Sequence, residues 1–349
     1  MSLKTVYEPY FKIGAAVSRR MLEDPVGRRH ILEQYQSLTC ENDMKPEMLL
    51  DKGKNQADPN TYRQTPAVSF ASAIPYLDFA RGNGIQMRGH TLVWYSQTPD
   101  WFFREHYEDS ETAPLADRET MLARMESYIC SVLTFVQTNY PGVIYAWDVV
   151  NEAILENGFR DCLWLQTVGN DYVEKAFEFA AKYTDKDVRL YYNDYDTYLP
   201  WKQELICKLI LQPLQEKQLI HGVGMQSHLK MEVPGWKDYW NTVCRFGQTG
   251  LEVQVTELDI HTPENTPEAM QALAERYRKI FTALLKAKIE QKADITAVTL
   301  WGIRDEESWL EVYGQEHSYP LLFHGTYEPK AAYEAVVSVP ASLKSETME

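Results

Sequence analysis

The sequence predicts an α/β fold, a single (β/α)8 barrel in which eight parallel strands alternate with helices. Eight short runs rich in Val, Ile and aromatic residues alternate with longer amphipathic stretches along the whole chain. Polar residues follow nearly all of these runs. The run Ile13–Val17 holds a single glycine. An open doubly wound sheet, the rival fold, would usually carry a glycine-rich phosphate loop there.

The predicted strands are apolar runs of the kind that a parallel sheet buries on both faces. Each run is too short for a typical helix. In chain order the predicted strands are Phe11–Val17, Ser37–Cys40, Gln86–His90, Ile144–Val150, Arg189–Asn193, Gly222–Gln226, Glu252–Thr256 and Ala297–Trp301.

Amphipathic helices are predicted between the strands. In the stretch Glu119–Val136, apolar residues recur with the spacing of one helix face. Thr266 followed by Pro267 is typical of a helix start, with a capping residue before a proline in the first turn. The other stretches with helical spacing are Asp171–Tyr183, Lys202–Leu214 and Glu268–Ile289.

The domain organisation predicted for the 349 residues is a single domain spanning residues 1–349. No linker, repeat or low-complexity segment interrupts the alternation of strands and helices. The polar, charged tail from about residue 342 is expected to be disordered.

The overall charge argues against a nucleic-acid or anionic-membrane partner. There are 35 Lys and Arg residues against 50 Asp and Glu residues, a net charge of −15, and no basic stripe to meet phosphates. The apolar runs are too short to span a membrane. The segment Met1–Tyr10 lacks the pattern of a signal peptide, so we expect a cytoplasmic protein.

The cysteines and the aromatic residues bear on the kinds of site that the protein can contain. Five scattered cysteines without a C-x-x-C pair indicate neither a disulfide framework nor a structural zinc site. Aromatic residues make up 12% of the chain, including 9 Trp and 22 Tyr. Flat amphipathic rings pack against sugars as well as in cores, so composition leaves both uses open.

Polar groups collect where the predicted strands end, which is where a barrel of this kind carries its active site. A single polar residue at a strand end is usually a capping or buried structural group, but here seven ends carry them. The segments are Glu41-Asn42-Asp43-Met44-Lys45, Gly89-His90-Thr91-Leu92-Val93-Trp94, Trp147-Asp148-Val149-Val150-Asn151-Glu152, Asn193-Asp194-Tyr195, Met225-Gln226-Ser227-His228, Val255-Thr256-Glu257-Leu258-Asp259 and Trp301-Gly302.

Glu152 and Glu257 follow the fourth and seventh predicted strands, so a barrel would place them across its mouth. Hydrolysis of a glycosidic bond needs two such carboxyl groups, one to protonate the leaving oxygen and one to attack carbon or activate water. Asn151 is suited to hydrogen-bond a sugar 2-hydroxyl. The sequence leaves the carboxyl separation open, and with it the choice between retention and inversion.

Two rival chemistries find little support. His90, His228 and His261 are candidate metal ligands, but no His-x-His or His-Glu-x-x-His pair exists. A serine nucleophile would need a Gly-x-Ser-x-Gly segment, which is absent. We therefore expect neither a metal site nor a serine nucleophile.

These segments resemble the family-10 glycoside hydrolases, the endo-β-1,4-xylanases, over nearly the whole chain. The matching segments stand in the family's order: Glu41-Asn42-Asp43-Met44-Lys45, Arg88-Gly89-His90-Thr91-Leu92-Val93-Trp94, Trp147-Asp148-Val149-Val150-Asn151-Glu152-Ala153, Tyr192-Asn193-Asp194-Tyr195, Gly224-Met225-Gln226-Ser227-His228, Val255-Thr256-Glu257-Leu258-Asp259 and Thr299-Leu300-Trp301-Gly302. The resemblance implies a retaining endo-1,4-β-xylanase that acts by double displacement in a (β/α)8 barrel, without a metal or an organic cofactor.

The resemblance also implies the roles of the catalytic residues. Glu257 corresponds to the nucleophile, with His228 as its partner and Asp259 holding the imidazole. Glu152 corresponds to the acid/base, and the charge of an ionised Glu257 nearby would keep it protonated until the glycosyl ester forms. Asn151 corresponds to the residue that binds the 2-hydroxyl at the cleaved sugar.

The remaining implied site residues bind substrate. Those that would hydrogen-bond xylose hydroxyls on the non-reducing side are Glu41, Asn42, Lys45, His90 and Gln97. Those that would form an apolar floor and wall are Trp94, Trp301 and Trp309. Gln226 would lie near the two carboxylates, and Tyr195 would reach the leaving-group side. Trp147 and Asp148 are expected to be buried barrel support instead.

Two alternatives to an endo-xylanase stay open. One is a catalytically silent xylan-binding or inhibitory barrel, which would normally have lost a carboxylate, whereas Glu152 and Glu257 are both present. The other is an exo-acting glycosidase that trims oligosaccharides. The expected partner is xylan or a xylo-oligosaccharide, and self-association into a homo-oligomer stays open.

Overall fold

The computed structural model describes residues 1–312 and 317–346. All eight predicted strands are present there and form a closed parallel barrel with helices between the strands, which confirms the predicted fold class. The barrel strands are β1 (Lys12–Val17), β2 (Ser37–Cys40), β3 (Gln86–Trp94), β4 (Ile144–Asn151), β5 (Arg189–Asp194), β6 (Gly222–Met225), β7 (Glu252–His261) and β8 (Asp294–Leu300).

The strands are hydrogen-bonded in the order β8-β1-β2-β3-β4-β5-β6-β7, and β8 also pairs with β7, which closes the sheet. A short strand, His228–Lys230, adds to the outer end of β7, with His228 opposite Asp259. This extra pairing explains why β7 continues to His261, beyond the Thr256 expected from its apolar run. Two small antiparallel pairs lie outside the barrel: Ile154–Leu155 with Gly158–Phe159, and Phe323–His324 with Glu328–Pro329.

Helices occupy most of the segments between strands. In chain order they are Leu3–Tyr7, Arg19–Glu23, Pro25–Gln34, Pro46–Leu49, Lys52–Ala57, Ile74–Asn83, Asp100–Phe103, Arg118–Asn139, Leu163–Val168, Tyr172–Tyr183, Pro200–Ile206, Cys207–Leu211, Gln212–Glu216, Trp236–Gly247, Pro267–Ile289, Asp305–Glu307, Trp309–Val312 and Ala331–Glu346.

The predicted start of the helix Pro267–Ile289 is confirmed, since the Thr266 side chain accepts a hydrogen bond of 3.1 Å from the backbone of Ala269. The stretch predicted as one helix over 202–214 is three helical segments, and the middle one, Cys207–Leu211, is a π-helix. Pro213 follows it and lacks the N–H that would continue the α-helical ladder.

The expectation of a disordered tail from about residue 342 is wrong as far as the structure extends. The last helix runs from Ala331 to Glu346 without a break. Only residues 347–349 of the expected tail lie outside the described residues.

Two compact units make up the chain. The first comprises Met1–Glu41, Tyr195–Gln203 and Val223–Glu349, and it carries β1, β2, β7, β8 and nearly all of β6. The second comprises Asn42–Asp194 and Glu204–Gly222, and it carries β3, β4 and β5. Across the two described stretches, 1–312 and 317–346, every helix falls short of the length and apolarity of a membrane span.

The pairing of β3 with β4 shows how tightly the second unit is packed. Gly89 lies opposite Trp147 in the ladder, and Trp147 is buried. A Cβ atom at position 89 would lie 2.1 Å from the indole ring of Trp147. Only glycine therefore lets β3 approach β4 this closely, next to the strand end that carries His90.

Candidate active site

Glu152 is positioned by the end of β4 and by its neighbour β5. It directly follows β4 with a positive φ of 58°, a left-handed conformation that turns the chain out of the strand. Its backbone N–H donates to the carbonyl of Asn193 (2.9 Å), and its own carbonyl accepts from Nε of Arg160 (2.9 Å). The side chain is buried, so the carboxyl group sits in a held, water-poor position.

Asparagine side chains link the Glu152 carboxylate to β5. Asn151 Nδ2 donates to Oε1 of Glu152 at 3.2 Å. Asn193 Nδ2 in turn donates to Oδ1 of Asn151 at 2.9 Å. Because the Asn151 carbonyl oxygen is occupied by Asn193, the orientation of its amide is defined, and its NH2 group faces the carboxylate.

A second network holds the backbone just after Glu152. The N–H of Ala153 donates to the hydroxyl oxygen of Tyr192 at 3.0 Å, and the Tyr192 hydroxyl donates to the buried carboxylate of Asp194. Burial and the neighbouring Asp194 charge raise the pKa of Tyr192 far above its usual value. The hydroxyl therefore keeps its proton and its hydrogen bond at any working pH.

A buried network of charged side chains orients His90. Its Nδ1 lies 2.9 Å from Oδ2 of Asp148, and Arg88 binds both Asp148 oxygens at 2.6 and 3.0 Å. Burial alone would raise the pKa of Asp148, but Arg88 and His90 outweigh it and lower that pKa. The ionised Asp148 fixes the imidazole so that its Nε2 is directed away from the network.

Lys45 lies at the centre of a polar cluster in the second unit. Its Nζ donates to Oδ1 of Asn42 (2.9 Å) and to Oε1 of Gln97 (2.7 Å), and it lies 4.9 Å from the centre of the Trp94 ring. Asn42, Gln97 and Trp94, three other residues predicted to bind substrate, thus lie around the ammonium group of Lys45. The cluster presents amide, ammonium and indole groups together, which is a surface suited to a polyhydroxylated ligand.

In the first unit, Glu257, His228 and Asp259 form a connected chain. Nε2 of His228 lies 3.2 Å from Oε2 of Glu257, and its Nδ1 lies 3.0 Å from Oδ1 of Asp259. The backbone N–H of Glu257 donates to the carbonyl of Gln226 at 2.9 Å. His228, predicted with Asp259 to support a nucleophile, thus lies between the carboxylates of Glu257 and Asp259.

The two carboxylates decide the charge of this imidazole. Burial by itself would lower the pKa of His228, but Asp259 and Glu257 outweigh burial and raise the pKa to about 10. The ring is therefore an imidazolium at neutral pH, and both of its N–H groups donate to carboxylates. A cation hydrogen-bonded to Glu257 favours the ionised form of that residue, as a nucleophile requires.

Trp309 contributes more than the apolar wall predicted from the sequence. Its indole Nε1 donates to Oδ2 of Asp259 at 2.7 Å, and its ring centre lies 5.0 Å from that of His228. Trp301 meets His228 edge-on at 6.3 Å. Both tryptophans thus lie against the imidazolium ring. Asp259 accepts from His228 with Oδ1 and from Trp309 with Oδ2.

The other predicted residues occupy defined places in the first unit. Gln226 is buried, and its backbone supports Glu257 as described. Tyr195 packs its ring 3.5 Å from the Nζ of the buried Lys202. Glu41 follows β2, with its backbone N–H donating to the carbonyl of Val17 at 3.1 Å.

Sequence reasoning missed how several buried residues build the site. Asn193 and Tyr192 appeared only as parts of a segment, and Arg88 had no assigned role. Asp148 was expected to be buried support, and it is fully buried beneath His90. One feature of the sequence could have indicated these contacts. A buried charge is costly unless it is paired, so a polar residue within an apolar strand run indicates that a partner lies nearby.

The described residues hold no group of three or more His, Cys, Asp or Glu side chains arranged for a metal ion. What the barrel and its strand ends present is a pair of buried glutamates, each in its own hydrogen-bonded setting, together with indole rings and amide groups. These features define the class of barrel glycosidases, in which two carboxyl groups act on one glycosidic bond.

The model of the family described as glycosyl hydrolase family 10 matches residues 2–339, and the chain belongs to that family. The chain is 54% identical over 342 residues to endo-1,4-beta-xylanase B of Butyrivibrio fibrisolvens, covering 98% of this chain and 54% of that protein. It thus spans about half the length of this relative, and 34% of the bifunctional xylanase of Ruminococcus flavefaciens.

Solved structures give the same result. The xylanase modules of Clostridium thermocellum, solved with xylohexaose, are similar with a TM-score of 0.86 at 34% identity, over 97% of this chain and 67% of that one. An intracellular xylanase from Thermoanaerobacterium saccharolyticum is similar with a TM-score of 0.83 at 34% identity, over 96% of this chain and 98% of that one.

Proposed function

We propose that this protein is a retaining endo-1,4-β-xylanase, with Glu257 as nucleophile and Glu152 as general acid and base. The observation that carries the proposal is the hydrogen-bonded chain from Glu257 through the His228 imidazolium to Asp259. It places a cation against Glu257, whereas Glu152 accepts from a neutral amide. We also propose that the chain is a single catalytic domain.

In the first step, Glu257 attacks the anomeric carbon. The new bond joins a carboxylate oxygen of Glu257 to the carbon, the bond to the leaving sugar oxygen breaks, and the proton of Glu152 moves to that oxygen.

In the second step, the roles of the two residues change. The ester removes the negative charge of Glu257, so that charge no longer opposes a negative charge on Glu152. Glu152 takes a proton from water, the water oxygen attacks the anomeric carbon, and the ester bond to Glu257 breaks. Two inversions at one carbon give net retention.

The substrate-binding set follows from chemistry and from family membership. We assign the 2-hydroxyl of the cleaved sugar to Asn151. The hydroxyls on the non-reducing side are assigned to Glu41, Asn42, Lys45, His90 and Gln97. The tryptophans Trp94, Trp301 and Trp309 provide apolar surfaces for sugar faces, Gln226 supports the carboxylates, and Tyr195 serves the leaving-group side. The relatives' printed names support a xylan chain as the substrate.

Two measurements test the proposal. Proton NMR of the first product anomer from a β-linked xylo-oligosaccharide should show the β-anomer, and an initial α-anomer would overturn the retaining mechanism. Digestion of linear xylan should release a ladder of short oligosaccharides from the start. Release of a single small product from one chain end would replace the endo-acting proposal with an exo-acting one.

We also propose that the enzyme works in the cytoplasm on short, soluble xylo-oligosaccharides. The support is that none of the five cysteines, all of them among the described residues, forms a disulfide, as a reducing compartment favours, and that a similar solved protein is described as intracellular. Fractionation of the native host and the ratio of kcat/KM on xylotetraose to activity on insoluble xylan test this. Protein found in the culture medium, with strong activity on insoluble xylan, would contradict it.

A further inference from the structure

An open groove lies on the surface of the first unit, between the helices Trp236–Gly247 and Pro267–Ile289. Its volume is about 560 Å³. None of the catalytic or substrate-binding residues assigned above takes part in it. Two tryptophans and several charged side chains line it.

Two tryptophans form the apolar part of this groove. Trp236 is 48% exposed, although an indole ring normally leaves water. Trp240 follows one helical turn later on the same face, about 6 Å along the axis. Tyr239, between them in sequence, is buried. Both indoles thus line the groove from one face of the same helix.

The rim of the groove is cationic in a protein whose net charge is −15. Lys237, Arg278, Lys279 and Lys286 line it, against the single lining carboxylate of Glu290. Glu275 is shared by Arg278 (2.8 Å) and Lys279 (3.4 Å), and Glu290 lies 3.6 Å from Lys286. Even with Glu275 included, positive charges exceed negative ones at this place.

Indole rings and cations together select a particular ligand chemistry. Indole faces favour a sugar chain, and the cationic rim favours a carboxylate on that chain. A neutral xylan would leave the lysine and arginine groups without a counterpart, and an apolar protein helix would have to desolvate them.

Resting on the proposed function, we propose that this groove is a second carbohydrate-binding site, which takes xylo-oligosaccharides that carry a uronic acid side group. Sugar rings pack on Trp236 and Trp240, and the uronate is bound by Lys237 and Lys279. Such a site holds charged fragments of the substrate on the enzyme apart from the catalytic residues.

Calorimetric titration tests the site in a Glu257→Gln background, where the ligand is not cleaved. A uronate-substituted xylo-oligosaccharide should bind with a stoichiometry of two, and xylotetraose with a stoichiometry of one. Trp236→Ala with Trp240→Ala should return the first value to one. Lys237→Gln with Lys279→Gln should weaken only the second site, by roughly tenfold, and added salt should do the same.

A matched control is the pair Lys186→Gln and Lys208→Gln, two exposed lysines elsewhere, which should leave both sites unchanged. With Glu257 restored, the groove variants should keep their kcat/KM on xylotetraose. A stoichiometry of one for the uronate ligand in the Glu257→Gln background would overturn the site. Equal weakening by groove and control lysines would overturn it too, since binding would then follow overall charge.

The two proposals fail in different ways. Suppose that the enzyme with Glu257 restored left xylan intact, while the groove substitutions still lowered the binding stoichiometry of the uronate ligand from two to one. The proposed function alone would then be wrong. If the restored enzyme cleaved xylan normally and an unrelated polyanion such as polygalacturonate displaced the ligand equally well, the assignment to xylan fragments would be wrong.

Discussion

At the scale of single residues, two glutamates of the same chemistry are placed in opposite electrostatic settings. Glu257 meets the His228 imidazolium at 3.2 Å, and Glu152 meets the neutral amide of Asn151 at the same distance. A cation stabilises a neighbouring carboxylate more strongly than a neutral amide donor does. This difference between the partners supports the proposal that Glu257 is the nucleophile and Glu152 the acid and base.

Azide rescue separates these roles. Glu152→Ala should still be glycosylated by an aryl xyloside with a good leaving group, because that group departs without a proton. Azide should then replace water and give a β-xylosyl azide. Glu257→Ala should give the α-azide, because azide attacks directly from the opposite face. NMR of the product decides it, and the reverse pattern would exchange the two assignments.

The link between His228 and Asp259 predicts strong coupling. His228→Asn or Asp259→Asn should each lower kcat/KM by roughly 10- to 100-fold, the loss of one charge-assisted hydrogen bond. The double variant should cost far less than the product of the two. Trp309→Phe, which removes only the indole N–H on Asp259, should cost less than either. Multiplicative losses would show that His228 and Asp259 act independently.

The raised pKa of His228 also predicts a pH dependence of stability. The pKa rises from 6.5 to about 10 on folding, so the folded state binds this proton more tightly. The stabilisation is complete below about pH 6.5 and is lost as the pH rises through about 10. The difference in the free energy of unfolding between wild type and His228→Gln should therefore shrink across that window in urea titrations. A constant difference would contradict the imidazolium.

At the scale of secondary-structure elements, the close packing of β3 against β4 positions His90 and its neighbours. Gly89→Ala should destabilise the protein by about 1–3 kcal/mol or more, since the new methyl group would overlap the Trp147 ring. Gly82→Ala is the matched control in the helix Ile74–Asn83, where no atom lies within 4 Å of the added Cβ. It should raise stability by about 0.5–1 kcal/mol.

Thermal and urea unfolding of both variants measure this contrast. Gly89→Ala should also raise KM for xylotetraose, because Arg88 and His90 flank the altered position and hold the Asp148 network. Equal effects of the two substitutions on stability would mean that β3 can move away from β4 at little cost.

At the scale of the whole molecule, stability depends on packing and ion pairs without disulfides. None of the five cysteines, which all lie in the described part of the chain, forms a disulfide, and Cys40 and Cys162 are buried. Titration of the protein purified without reductant and unfolded in guanidinium should therefore detect five thiols, and dithiothreitol should leave its melting temperature unchanged. A count of three, or a melting temperature that falls with reductant, would show a disulfide.

The sequence alone determined most of the architecture and the chemical identity of the site. Periodicity located all eight barrel strands, and helix ends such as Thr266-Pro267 follow from local capping chemistry. Glu152, Glu257 and the polar strand ends could be read directly, because a strand end is a position along the chain. The bounds of β7 and the π-helix at Cys207–Leu211 were missed, since distant pairing and Pro213 decide them.

Only the tertiary structure decided the charges and the partners of these residues. The imidazolium state of His228 depends on two carboxylates brought near it through space, 29 and 31 positions along the chain. The Trp309 bond to Asp259 spans 50 positions. The Trp236 groove exists only because two helices pack side by side. A protonation state, a hydrogen bond and a groove depend on distances between atoms, which folding sets and sequence order does not reveal.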